Sequence, residues 1–342
     1  MENFNLGDSY RLARSARTVG GGRLGYKGGW GSQQGSLQNV AAGHDDASVS
    51  PRSSRDNGVV TERTFGWTGV EVSVIGQGTW MIEGSRDSER RAVEALRAGM
   101  DLGLTHIDTA EMYGSGRAEK LVGEAIAGRR DEVFLVSKVL PSNASYEGTL
   151  RACERSLARL GTDHLDLYLL HWESSYPIAD TMRAMERLID EGQIRFTGVS
   201  NFDVPEIEAA QAALRHHKLA SNQVLYHLRD RGIERKLIPY CEKHQIAVVA
   251  YSPFGHGAFP RPDSAAGRVL AEVAKRNGRT ARQVVLNFLT RFPHVFTIPK
   301  AGQPEHTREN AGGAGWTLSP EDIAALGRAF PAPDHDVPLG ML

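Results

Sequence analysis

Four ionisable side chains lie where three short apolar runs give way to polar residues, and all four are groups that hold and move protons. Thr105-His106-Ile107-Asp108 is strand-like in length and β-branched content, and Gly114 and Gly116 follow soon after it. Asp108 therefore ends a strand, and Tyr113 stands on the loop beyond it. A run over 133–138 ends in Lys138, and another over 165–171 ends in His171. A carboxylate and a phenol are unusual choices for a connection that only needs to turn the chain. Each residue taken singly has a plainer reading. An Asp after a strand caps, a loop Tyr packs, and a lone Lys or His decorates a rim. Their convergence at the same ends of three strands makes them candidates for catalysis.

Holding them together requires a repeating frame, and the chain supplies one. Strand-like runs recur at 74–76, 105–108, 133–138, 165–171, 194–200, 222–226, 246–251 and 295–299. Helical spacing fills the intervals, as in Val93, Leu96 and Met100, or Leu121, Val122, Ala125 and Ile126. Strands alternating with helices imply a parallel sheet. Eight such units over about 250 residues predict a closed (β/α)8 TIM barrel, whose chemistry collects at the C-terminal ends of its strands. An open doubly wound sheet would want a glycine fingerprint in its first turn, and Gly76-Gln77-Gly78-Thr79-Trp80 does not match one. Ahead of the barrel, 64–72 reads as a β-hairpin turned by glycines.

Composition removes several classes of function. Among 342 residues, 40 basic side chains face 41 acidic ones, so no bulk charge draws the protein to nucleic acid or an anionic membrane. No apolar run approaches the roughly 20 residues of a bilayer span, and no compact apolar secretion core opens the chain. Cys153 and Cys241 are far apart and form no metal-ligand spacing. Cys153 keeps step with Leu150, Leu157 and Leu160, as a buried core thiol does. A soluble, cytoplasmic protein without a metal site is the expectation, with oligomeric state unread.

Residues 1–58 differ from the rest, being rich in Gly and Ser with no sustained apolar pattern. Such a segment buries too little apolar surface to offset its chain entropy. It is expected to be a disordered extension, or to precede a true start near Val59 or Val60, leaving 59–342 as the barrel domain. Gly20, Gly22 and Gly25 match a dinucleotide fingerprint, but no strand precedes them and no helix follows, so chance explains the match.

Residues 61 to about 333 resemble the aldo-keto reductase superfamily nearly end to end. The matching runs are Gly76-Gln77-Gly78-Thr79-Trp80, Asp108-Thr109-Ala110 through Tyr113, Val136-Ser137-Lys138, Leu169-Leu170-His171-Trp172, Gly198-Val199-Ser200-Asn201-Phe202, Asn222-Gln223-Val224, Ala250-Tyr251-Ser252-Pro253, and Ile298-Pro299-Lys300 through Glu309-Asn310. The run from Asn222 to Leu228 and the short tail look most like the bacterial methylglyoxal reductases within it. The resemblance implies reduction of small carbonyl compounds, 2-oxoaldehydes above all. A carbonyl that accepts hydride at carbon needs a proton at oxygen. Tyr113 would donate it, Lys138 would lower the phenol's pKa from about 10, Asp108 would hold Lys138 charged, and His171 would orient the substrate oxygen or help relay the proton.

The same resemblance implies a nicotinamide dinucleotide bound without a Rossmann fold. Ser200, Asn201 and Gln223 would hydrogen-bond its carboxamide, whose groups both donate and accept, and Tyr251 would stack on its ring. Gly78, Thr79, Ser252 and Gly255 would line its path, while Lys300 and His306 would meet the 2′-phosphate and Glu309 and Asn310 the adenine. Trp80 and Trp172 would wall the substrate pocket. Ala301 and His306 depart from the family, which favours Ser or Thr and Arg there. A histidine lacks the permanently charged fork of arginine, so NADPH is the expected cofactor with NADH use possible. The resemblance also admits a cofactor-sensing partner subunit of low turnover.

Overall fold

The computed structural model describes residues 61–342, so the expectations for 1–58 lie outside the described residues. The described residues open on an antiparallel hairpin, β1 (Glu62–Thr64) and β2 (Glu71–Ser73). Eight parallel strands follow: β3 (Gln77–Gly78), β4 (His106–Asp108), β5 (Phe134–Val139), β6 (Leu165–Leu170), β7 (Ile194–Ser200), β8 (Leu219–Leu225), β9 (Ala247–Tyr251) and β10 (Val295–Thr297). They neighbour one another in chain order, and the two ends meet. Ile75 bridges Thr297 and Gly78 bridges Lys300, both parallel, which closes the barrel.

One helix follows each of the first six barrel strands: α1 (Arg86–Asp101), α2 (Arg117–Ile126), α3 (Tyr146–Leu160), α4 (Ile178–Asp190), α5 (Val204–Ala213) and α6 (Leu237–Lys243). A pair follows each of the last two: α7 (Ala265–Arg276) and α8 (Ala281–Leu289), then α9 (Pro304–Ala311) and α10 (Pro320–Ala329). Among the described residues, no helix is long and apolar enough to cross a membrane. Cys153 is fully buried on α3, as its spacing predicts.

The strand expected at 74–76 is displaced to Gln77–Gly78. Backbone approach explains its position and its shortness. A Cβ at Gly76 would stand 2.6 Å from the His106 carbonyl oxygen, and one at Gly78 would stand 2.6 Å from that of Ile298. Only glycine lets the closing strand slip between its neighbours.

Alternation divides the strands into two apolar layers. Phe134, Val136, Leu167, Leu169 and Val249 fill the barrel interior, while Ile107, Leu135, Val139, Tyr168 and Leu170 pack outward on the helices. The hairpin seals the lower end. The Phe65 ring lies 5.0 Å from those of Phe134 and Phe296 and 6.0 Å from His106.

His106 is fully buried there, with neither ring nitrogen hydrogen-bonded. Burial, seconded by the charge of Lys138, pushes its pKa down to about 3. Its unfolded value is near 6.5. Below that pH the unfolded chain binds a proton that the native protein refuses, so stability falls as pH drops from about 6.5 towards 3. The slope from this one group is at most about 1.4 kcal/mol per pH unit. His106→Leu is therefore expected to lose less stability between pH 7 and pH 5 than the wild type, by urea denaturation at both values. Equal losses would contradict the assignment.

Candidate active site

The inner columns of three strands change character at the top. On β4 His106 is succeeded by Asp108, on β5 Phe134 and Val136 by Lys138, and on β6 Leu167 and Leu169 by His171. On β5 and β6 apolar packing fills the column until the last inward position, and on all three strands that position carries an ionisable group. Tyr113 joins them from the loop after β4, where it opens a short 3₁₀ turn.

Lys138 is fully buried, and its three ammonium hydrogens are all placed. Nζ lies 2.6 Å from Asp108 Oδ1, 2.8 Å from the Thr109 carbonyl oxygen and 3.2 Å from the Tyr113 hydroxyl. Gln223 Nε2 donates to the other carboxylate oxygen of Asp108 at 2.7 Å. Burial pushes the Asp108 carboxyl upward, against the pull of Lys138 and Gln223. Burial also opposes the charge of Lys138, but Asp108 and Tyr113 outweigh it and hold the ammonium above its usual value. Both Asp108 oxygens accept from groups that donate there, so carboxylate and ammonium are the forms that fit.

This geometry decides where the Tyr113 proton points. An ammonium has no acceptor to offer, so the phenol oxygen accepts from Lys138 and its own hydrogen is left for the cavity. The expected lowering of the phenol pKa is not the net result. Burial raises it, the Lys138 charge and hydrogen bond draw it back, and Asp108 raises it further. The resting side chain is thus a protonated donor whose anion Lys138 would stabilise. His171 is held neutral, well below the ordinary imidazole value, by burial and then by the charge of Lys138. Its ring stands 5.8 Å from that of Tyr113 and 4.7 Å from that of Trp172. Its Nδ1 is buried without a partner.

A cavity with polar and aromatic walls opens over these groups. Of the sequence candidates, Gly78, Thr79, Trp80, Asp108, Tyr113, His171, Trp172, Ser200, Asn201, Gln223, Tyr251, Ser252 and Lys300 line it. Lys138 lies behind Asp108 and Tyr113. Gly255 sits outside this lining on the loop after β9, where its N–H donates to the Ser252 carbonyl. His306, Glu309 and Asn310 lie beyond it on α9, with His306 exposed and Asn310 buried. Met112, Ile298 and Leu342 complete the lining and were not singled out. Ile298 was recoverable from its alternation with Lys300, and Met112 from its place beside Tyr113. Leu342 arrives with the tail after 331, which is tethered by Arg235 to Asp336 and to the Asp334 carbonyl.

The amide groups form one network. Ser200 Oγ donates to the Gln223 carbonyl at 2.9 Å, and Asn201 Nδ2 reaches Ser200 Oγ and the His171 carbonyl. Asn201 Oδ1 accepts from the Tyr251 hydroxyl at 2.8 Å. Asn201 and Ser252 both hold left-handed backbone, φ 60° and 50°, a conformation that clusters at functional sites. The helix that follows is capped by Asp203, whose side chain accepts from Val204 N. Trp80 stacks on His256 at 5.0 Å between ring centres.

The lining suits the nicotinamide dinucleotide that the sequence implies. Gln223 Nε2 gives one of its two hydrogens to Asp108, and its amide oxygen is an acceptor. The aromatic ring of Tyr251 stands beside these amides, and Lys300 brings a cation to the same lining. An amide, a flat ring and an anion are matched in turn. Among the described residues, no three His, Cys, Asp or Glu side chains gather as a metal site.

Known proteins resemble this chain over most of its length. The model of the Aldo/keto reductase family matches residues 74–329. Methylglyoxal reductase YeaE of Escherichia coli is 45% identical over 273 residues, covering 80% of this chain and 96% of that protein. A glyoxal reductase of Bacillus subtilis is 36% identical over 277 residues, covering 78% and 94%. The crystal structure of an aldo/keto reductase from Klebsiella pneumoniae, in complex with NADP and acetate, superimposes with a TM-score of 0.78 at 43% identity. It covers 83% of this chain and all of that one.

Proposed function

The chain belongs to the aldo/keto reductase family, an oxidoreductase family, and from that premise we propose that it reduces small 2-oxoaldehydes such as methylglyoxal to alcohols with NADPH. The observation that carries this is the Lys138 ammonium. With its hydrogens spent on Asp108, Thr109 and Tyr113, it leaves the phenol proton facing the cavity. When bound, the nicotinamide ring supplies a hydride, two electrons and one hydrogen, to the carbonyl carbon.

The rest is the work of this chain. Tyr113 delivers a proton to the carbonyl oxygen as charge develops there. The phenolate left behind faces Lys138, which Asp108 holds charged in a site of low dielectric where such pairing is strongest. Neutral His171 offers a second hydrogen bond to the same oxygen and fixes the carbonyl against Tyr113. Trp80, Met112 and Trp172 shelter the reacting carbon from water. The relatives that act on methylglyoxal and glyoxal support the substrate class.

The test is product analysis. Methylglyoxal supplied with NADPH deuterated at C4 should yield an alcohol carrying deuterium on carbon. Product without the label would refute hydride transfer. Lys300 is proposed to meet the 2′-phosphate, a charge-assisted contact of about 1.5–3 kcal/mol. Lys300→Ala should therefore cut the ratio of kcat/KM for NADPH over NADH by about tenfold or more, chiefly through NADPH. An unchanged ratio would remove Lys300 from that role.

A further inference from the structure

Tyr113 reaches the cavity on a loop that regular structure does not hold. Gly114, Ser115 and Gly116 all have left-handed backbone, with φ of 54°, 52° and 87°. For Ser115 that conformation costs about 1–2 kcal/mol, so surrounding contacts must impose it. A buried polar cluster that the chemistry above does not use lies directly behind the loop.

Glu119, in the first turn of α2, is fully buried. One of its oxygens accepts from Ser137 Oγ at 2.6 Å, and the other pairs with Arg159 Nε at 2.5 Å. Arg159 Nη2 reaches Ser156 Oγ at 3.2 Å. Ser137 precedes Lys138 on β5, and alternation puts its side chain on the outer face while that of Lys138 points inward. Arg159 also lies against the Tyr113 loop. A Cβ on Gly116 would stand 2.6 Å from Arg159 Cδ and Nε. One carboxylate thus joins the helix that ends the Tyr113 loop to the strand that carries Lys138, and Arg159, on α3, pairs with that carboxylate and lies against Gly116.

We propose that Glu119 and Arg159, with Ser137, are positioning residues that set the contact between Lys138 Nζ and the Tyr113 hydroxyl. Other buried carboxylates pair with arginines in this molecule, Asp166 with Arg130 and Arg195, and Glu234 with Arg231 and Arg291. Asp166 sits near the start of β6 and accepts from Leu135 N near the start of β5, at the opposite end of those strands from Lys138 and His171, and Glu234 lies after β8, away from the Tyr113 loop. Glu119 touches the two elements whose relative placement decides proton transfer, where an ångström of error costs on the order of 100-fold in rate. The inference rests on Tyr113 being the proton donor.

The test is a set of variants of the full chain, read by kcat, KM and NADPH dissociation constant from quenching of tryptophan emission. Glu119→Gln keeps the shape and can still accept from Ser137, but loses the ion pair. Its kcat should fall on the order of 10- to 100-fold, with KM and NADPH affinity within about twofold. Arg159→Lys, which keeps the charge, should retain more kcat than Arg159→Met. Adding Glu119→Gln to Tyr113→Phe should change the residual rate less than about twofold, because coupled residues are not additive. A Glu119→Gln protein that melts earlier yet turns over at the wild-type rate would make the pair merely structural. If Glu119→Gln fails to fold, Ser137→Ala decides: a selective loss of kcat supports positioning, and wild-type kcat overturns it. Wild-type turnover in Tyr113→Phe would instead remove the proton donor itself, a separate failure.

Discussion

Tyr113→Phe is expected to lower kcat for methylglyoxal by about 10²- to 10⁴-fold, the usual contribution of a positioned general acid, while NADPH affinity stays within about twofold. The substitution removes one oxygen and leaves the ring packed beside His171. The Lys138 ammonium loses one of three acceptors but keeps Asp108 and Thr109. The fold therefore has little reason to respond, and the loss should fall on the chemical step. Near-normal turnover would show that the proton comes from elsewhere, with His171 the nearest alternative. A loss confined to KM would mean that the hydroxyl binds substrate without protonating it.

Lys138→Met should act on stability as well as rate. Removing one member of a buried ion pair leaves the other uncompensated, at a cost of roughly 3–5 kcal/mol. Here the orphan is Asp108, 1% exposed, with Gln223 as its remaining side-chain donor. The double variant Asp108→Leu with Lys138→Met should recover part of that stability, since an apolar pair of similar volume is often tolerated where an ion pair was. Neither variant should recover turnover. Denaturant unfolding separates the two effects. A single variant within about 1 kcal/mol of wild type would mean that Asp108 takes up a proton when Lys138 is gone.

The barrel was legible because two periods alternate without interruption. Val93, Leu96 and Met100 recur at helical spacing on α1, and the strand runs end where the inner column turns ionisable. Asp108, Lys138 and His171 could be found because each ends a short apolar run, a local signal. The boundary of the first strand was misplaced because tertiary closure through Gly76 and Gly78, and not local hydrophobicity, defines it.

Long-range features were harder to read. Leu342 meets the cavity through a tail tethered at Arg235, and His256 meets Trp80 from the loop after β9, which only the closure of the barrel brings near β3. Neither leaves a mark in its own neighbourhood of sequence. The upward net shift of Tyr113 likewise depends on burial, which the residue types do not disclose. The glycines around Ser115 hinted at an unusual turn, but the Glu119 and Arg159 pair that braces it spans two helices and was not visible in the sequence.

The central claim is that this chain is a reductase in which Tyr113 and Lys138 protonate a carbonyl accepting hydride. The loss of NADPH absorbance on mixing the wild-type protein with methylglyoxal tests it most directly. Rapid oxidation that depends on both protein and methylglyoxal is the predicted result. Tight NADPH binding with no oxidation, for methylglyoxal and a panel of small aldehydes alike, would contradict it and mark the protein as one that senses the cofactor without spending it.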